Sequence, residues 1–260
     1  MMKSFSVDGC GRDVQKILQN LCIIEYEDSP EIIKNMTKLT YQLLVFDWDG
    51  TLFDSTRVIL DTMQAAAEAM GLPPLVEQTI RGVIGLGLSQ MIEQILPQAT
   101  KVQQIHFGRL YQTYIHEGKR GCSSLFAGVS DVMQILRDRG HWLAIATGKC
   151  RQELAQNLAQ GKVTHHFLAS RTPDETRPKP NPDMLLEIMD ELGVWPSKTL
   201  MIGDTHYDME LALNAKTDAL AVGYGVRDAA VLCAYPHVRG YLTDIRDLPI
   251  WLNKQIMSVP

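Results

Sequence analysis

Cysteine is scarce and unpatterned in this chain: Cys10, Cys22, Cys122, Cys150 and Cys233 are five among 260 residues. An odd, scattered set without a C-x-x-C pair suggests neither a disulfide framework nor a zinc site, and suits a reducing compartment. Long hydrophobic runs are missing as well. No stretch reaches membrane-spanning length, and the N-terminus MMKSFSVDGCGRDVQ lacks the apolar segment of a signal peptide. Basic clusters are absent, and the formal net charge is −5, which argues against a nucleic-acid surface or a polybasic membrane patch. Repeats and low-complexity segments are not found. These absences predict a cytoplasmic protein with no membrane or nucleic-acid partner.

What remains is ordinary for a globular protein: 45% hydrophobic and 21% charged residues. The length exceeds a typical domain of ~100–150 residues without reaching two, so it accommodates one core plus a smaller insertion. Residues 1–40 read as an extension of uncertain structure. Ile17, Leu18, Leu21 and Ile24 have partly helical spacing, Asp28-Ser29-Pro30 marks a break, and a translation start at Met36 is an alternative.

Tyr41–Phe46 is a short continuous apolar run, the pattern of a strand covered on both faces. After it, Thr56–Met70, Leu88–Leu96 and Val102–Glu117 carry apolar residues at helical intervals. Beyond Gly128 strands and helices alternate. Helices are predicted at Val129–Arg139, Arg151–Gln160, Pro182–Leu192 and Tyr207–Asn214. Strands are predicted at Trp142–Ala146, His166–Ala169, Thr199–Ile202 and Ala219–Val222. Such alternation predicts a parallel sheet with right-handed crossovers, interrupted after its first strand by a helical insertion.

Parallel sheets bind ligands outside the carboxyl ends of their strands. Four polar constellations fall at or near such ends. In Asp47-Trp48-Asp49-Gly50-Thr51, carboxylates two residues apart project to one side of an extended chain. One can attack phosphorus while the other exchanges protons with the leaving oxygen and with water. In Ala146-Thr147-Gly148-Lys149, a strand-end hydroxyl beside free backbone N–H groups can hold a phosphoryl oxygen. In Arg177-Pro178-Lys179-Pro180-Asn181-Pro182, two prolines stiffen the backbone around one lysine, with Asn181 predicted as N-cap and Pro182 as the first helical residue. In Gly203-Asp204-Thr205-His206-Tyr207-Asp208, two carboxylates one helical turn apart suit a hard cation. Each pattern alone reads equally as a turn, a helix cap or a solvated lysine. Together they demand a cation, because two like charges 4 Å apart repel by roughly 4 kcal/mol at an effective dielectric of 20.

In this order the four motifs match those of the haloacid dehalogenase-like hydrolase superfamily, which the chain resembles from about Tyr41 to Val222. Leu125-Phe126-Ala127-Gly128-Val129 and Ala146-Thr147-Gly148-Lys149 are similar to phosphoglycolate-phosphatase-like members. The resemblance implies an α/β, Rossmann-like parallel-sheet core (41–54 and 123–260) with an inserted all-helical cap domain (55–122). It implies Asp47 as nucleophile, Asp49 as acid and base, and Thr147, Gly148 and Lys179 as phosphate ligands. Magnesium would be held by the Asp47 and Asp204 carboxylates and the Asp49 backbone carbonyl, with Asp208 ligating or supporting. Lys216 stands where relatives carry glycine and should affect a helix end alone.

The expected activity is hydrolysis of a small phosphate ester, phosphoglycolate or a similarly small anionic phosphate, by a monomer or homodimer. The alternatives are a phosphosugar mutase with the same core, a pyrophosphatase or nucleotidase, and a non-enzymatic phosphate-sensing module. Three other features read as structural. Gly82-Val83-Ile84-Gly85-Leu86-Gly87 does not fit a dinucleotide loop. Arg81 reads as an exposed helix arginine, and His165-His166 as loop histidines lacking a third ligand.

Overall fold

The computed structural model describes residues 39–117 and 123–256. The proposed extension therefore lies almost wholly outside the described residues, as does Met36. Six parallel strands form one sheet in the order β5-β4-β1-β6-β7-β8. They are β1 (Leu43–Phe46), β4 (Trp142–Ala146), β5 (Ala169–Arg171), β6 (Thr199–Gly203), β7 (Asp218–Val222) and β8 (Val238–Leu242). β1 is flanked by β4 and β6, with Phe46 opposite both Ile145 and Ile202. Its side chains alternate between two cores: Leu44 and Phe46 enter one, Leu43 and Val45 the other. Burial on both faces is what makes its sequence continuously apolar.

Helices α5 (Val129–Asp138) and α10 (Leu248–Ile256) cover one face, α7 (Asp183–Leu192) and α8 (His206–Asn214) the other. Helix α6 (Arg151–Gly161) follows β4, and a short helix α9 (Ala229–Leu232) follows β7. Four helices lie between the first strand and the rest of the core: α1 (Thr56–Ala69), α2 (Glu77–Val83), α3 (Leu88–Ile95) and α4 (Lys101–His116). They share their own core of Ile59, Met63, Ile80, Ile92 and Phe107, in which Tyr207 of the sheet side is also buried. Two short antiparallel strands, β2 (Phe53–Asp54) and β3 (Ser124–Leu125), bracket this helical segment.

The α/β sheet with an inserted helical segment is the expected architecture, and several details depart from expectation. The strand predicted at His166–Ala169 begins at Ala169, after a 3-10 turn at Thr164–His166. Among the described residues β5 is an edge strand with β4 as its one partner, so Ser170 and Arg171 extend it without an apolar run. The same reason hides β8: Arg239 and Gly240 break its pattern, and its register against β7 is shifted. Helix α7 begins one residue later than predicted. Asn181 Oδ1 accepts the Asp183 N–H at 3.1 Å while Pro182 holds the cap position.

Lys216 lies exposed just past the C-cap of α8, with φ +60°. A left-handed backbone costs a residue with a Cβ roughly 1–2 kcal/mol. Glycine avoids that cost but loses more chain entropy on folding. Lys216→Gly is therefore expected to stabilise the fold by about 1 kcal/mol, seen as a higher urea midpoint at unchanged slope. A midpoint that stays put or falls would contradict this account of the helix end.

Candidate active site

The backbone leaves the sheet at Phe46, and Asp47 stays anchored by donating its N–H to Ile202 O at 2.9 Å. Trp48 turns the other way, into the core against Phe53 and Phe167. Its carbonyl then accepts the N–H groups of Thr51, Leu52 and Phe53, closing a tight loop. Gly50, at φ +82°, lies where a Cβ would collide with the Asp204 carboxylate. A side chain there is excluded by space and by backbone conformation alike.

Asp47, Lys179, Asp204 and Asp208 are each at most 1% exposed, and they meet at the carboxyl ends of β1 and β6. Lys179 Nζ donates to Asp47 Oδ1 at 2.7 Å and to Asp208 Oδ1 at 2.5 Å. The other Asp208 oxygen accepts from the Thr205 N–H at 3.0 Å and the Thr205 hydroxyl at 2.7 Å, a capping box opening α8. Asp204 accepts from Thr51 Oγ1 at 3.0 Å and from the Val226 N–H at 2.8 Å. Thr205, not Asp204, caps the helix, which leaves Asp204 to the site.

The electrostatics of this group are strained. Burial, and then the charge of Asp208, push the Asp47 carboxyl well above its ordinary range. The same two causes push Asp204 up to about 7. Burial works against the Lys179 charge, yet Asp208 and Asp47 outweigh it and hold the ammonium above its usual range. Three acids face one lysine, and Asp47 Oδ2 is buried without a hydrogen-bond partner among the described residues. One oxygen from each of Asp47, Asp204 and Asp208 lies within 4.8 Å of the other two. A hard divalent cation fits this set: it takes oxygen ligands, supplies the missing charge and satisfies the orphaned oxygen.

Asp49 lies apart from that group. Its Oδ1 accepts from Ser55 Oγ at 2.5 Å, and its Oδ2 lies 3.2 Å from Lys149 Nζ. Its carboxylate is thus not among the three clustered acids, although Asp47 and Asp49 line one cavity of about 400 Å³. Thr147, buried at the end of β4, and Gly148 line it too. A Cβ on Gly148 would reach 2.5 Å from Leu86 O and 2.6 Å from Gly85 O. The glycine-rich stretch 82–87 is therefore where the helical segment crosses the strand ends, not a dinucleotide loop.

Sequence reasoning missed Lys149 and Glu153, whose i, i+4 spacing on the turn into α6 was the available signal. It also missed Thr205, detectable through Thr-x-x-Asp, and Tyr111, which reaches the cavity from α4 and gave no signal of its own. Arg81 pairs with Glu77 at 2.8 Å on α2. His165 and His166 pack against each other, and neither joins a metal-binding group among the described residues. No helix among the described residues is long and apolar enough to cross a membrane.

Comparison with known proteins identifies the family of this chain. Residues 44–222 match the family model for haloacid dehalogenase-like hydrolases. A phosphoglycolate phosphatase of Aliivibrio fischeri is 31% identical over 194 residues, covering 71% of this chain and 85% of its own. An N-acetylmuramic acid 6-phosphate phosphatase of Pseudomonas aeruginosa is 28% identical over 197 residues, covering 73% and 85%. The solved structure of a haloacid dehalogenase-like family hydrolase from Streptococcus pneumoniae shares the fold, with TM-score 0.69, 24% identity, and coverage of 83% of this chain and 99% of that one. With the motifs in order, the acids and the lysine gathered at the strand ends, and these relatives spanning most of its length, the chain belongs to the haloacid dehalogenase-like hydrolases.

Proposed function

We propose that this chain is a cytoplasmic, magnesium-dependent phosphatase that hydrolyses a small phosphomonoester through an aspartyl-phosphate on Asp47. The observation that carries this reading is the buried group at the strand ends: three carboxylates within 4.8 Å of one another beside a fully buried Lys179. Desolvated charges held this close, with shifted proton affinities, are the signature of a functional site. The cation would be held by the Asp47 and Asp204 carboxylates and the Asp49 backbone carbonyl, with Asp208 supporting. When bound there it supplies positive charge that keeps these acids ionised and offsets the charge of the phosphoryl oxygens.

The chain's own residues divide the remaining work. A carboxylate oxygen of Asp47 attacks phosphorus and the ester P–O bond breaks. Asp49 gives its proton to the departing oxygen, then takes one from the water that attacks the aspartyl-phosphate, releasing phosphate and restoring Asp47. Lys179 has one ammonium proton beyond the two it gives to Asp47 and Asp208, and that third donor is free for a phosphoryl oxygen. Thr147 Oγ1 and the backbone at Gly148 hold the others. The helical segment covers the cavity and limits the access of competing water. The relatives' names span phosphoglycolate and N-acetylmuramic acid 6-phosphate, so the leaving group has to be read from the cavity itself.

Asp47→Asn is expected to abolish phosphate release from p-nitrophenyl phosphate in a clean preparation; near-normal turnover would refute the nucleophile. Asp49→Asn should cost on the order of 10²–10⁴-fold in kcat, and a smaller loss would remove Asp49 as the proton carrier. Exhaustive chelation should end activity. Added magnesium should also raise the Tm of chelator-treated protein, more at pH 8 than at pH 6. At the lower pH the ion competes with a proton on Asp204, whose pKa is pushed up to about 7. A magnesium effect equal at both pH values, or none, would remove these acids as its ligands.

A further inference from the structure

The cavity that receives the leaving group has an unusual charge balance. Among the described residues lining it, Lys149 is the one cation, and beyond Asp47 there are three carboxylates: Asp49, Glu153 and Asp174. Lys149 is already committed, with Nζ 3.2 Å from Asp49 Oδ2 and 3.4 Å from Glu153 Oε2, and the three side chains are at most 13% exposed. Asp174 is exposed and accepts the Arg151 N–H at 3.1 Å and the Thr172 hydroxyl at 2.6 Å, so solvent screens its charge and the balance rests on Asp49 and Glu153. The Arg151 guanidinium is turned to Glu175 and Ser170. No unpaired cation among the lining residues waits for a second anionic group on the substrate.

Neutral groups fill the rest of the wall. Tyr111, Gln112 and Ser89 bring a phenol, an amide and a hydroxyl from the helical segment. Burial, then the negative charges of Glu153 and Asp49, push the Tyr111 phenol well up, so it remains an O–H donor. Ile59, Ile84 and Leu86 add apolar surface for the C–H faces of a carbon skeleton. The volume of about 400 Å³ lies within the range of small-molecule sites and has room for a sugar-sized group.

Resting on the phosphoryl transfer proposed at Asp47, the geometry points to a neutral, hydroxyl-bearing leaving group, with Glu153 as the residue that excludes a carboxylate. Glu153 acts in two ways. It repels a second anion directly, and it occupies the one lysine that could receive that anion. This reading departs from phosphoglycolate, whose leaving group carries a carboxylate beside the ester oxygen.

The test measures kcat/KM for phosphate release by the full chain with magnesium, on two pairs of esters matched in shape. One pair is 2-phosphoglycolate and 2-hydroxyethyl phosphate; the other is 6-phosphogluconate and glucitol 6-phosphate. In whichever pair is hydrolysed, the neutral member should be preferred by about tenfold or more, the effect of one nearby unit charge at an intermediate dielectric. Glu153→Gln should narrow that ratio by about tenfold, because Lys149 then has one carboxylate partner instead of two. Equal or better use of the carboxylate member by the unaltered enzyme, or hydrolysis of neither pair, overturns the selectivity. A ratio unchanged in a folded Glu153→Gln variant removes Glu153 as its source. p-Nitrophenyl phosphate separates the two levels: if it is not hydrolysed the phosphatase reading falls, and if it is hydrolysed while the carboxylate esters are preferred, the selectivity alone falls.

Discussion

The ammonium of Lys179, buried between Asp47 and Asp208, is the interaction on which the rest of the structure depends. A charge taken out of water costs several kcal/mol, and only well-placed partners repay it. Those partners come from separate parts of the chain: Asp47 follows β1, Asp208 opens α8, and Lys179 sits in the loop before α7. The parallel register brings the strand ends level, with Phe46 beside Ile202 and, on its other side, Ile145. The stiff proline-flanked loop then sets the lysine over the gap. Without that ammonium, three acids would share a buried space, and the sheet end would be an electrostatic fault instead of a site.

Lys149 repeats the pattern in the cavity wall, between Asp49 and Glu153. The site thus contains two lysines, each bridging two carboxylates. Asp49 sits where the halves meet, held by Ser55 at the cap of the insertion's first helix and by Lys149 from the core. Its position is set jointly by both parts of the fold.

The central strands and the site acids were legible because both are written locally. A strand buried on two faces needs a continuous apolar run, and Leu43–Phe46 and Leu200-Met201-Ile202 supply one. Asp47, Lys179 and Asp204 stand next to strand ends or prolines that fix where they point. Edge strands β5 and β8 were misplaced or missed, since one free edge relaxes the demand for apolar residues. The Thr205–Asp208 capping box departs from the usual Thr-x-x-Glu signature, its acid being an aspartate that also belongs to the site. Tyr111 could not be found as a cavity residue from local pattern, being an ordinary helix residue until the helical segment folds over the sheet, and the spacing of Glu153 from Lys149 signals an ion pair but not the cavity it lines. The charge balance of the cavity is a tertiary property, and no motif encodes it.

The seam between the helical segment and the sheet has a consequence for how this protein can change. At Gly148 the two parts touch through main-chain atoms, with the carbonyls of Gly85 and Leu86 filling the space a side chain would need. Peptide oxygens are common to every sequence, so this contact does not depend on which side chains the four helices carry. Drift can therefore recolour the inner surface of those helices, altering what the enzyme accepts, while the hydrolytic apparatus beneath keeps its shape.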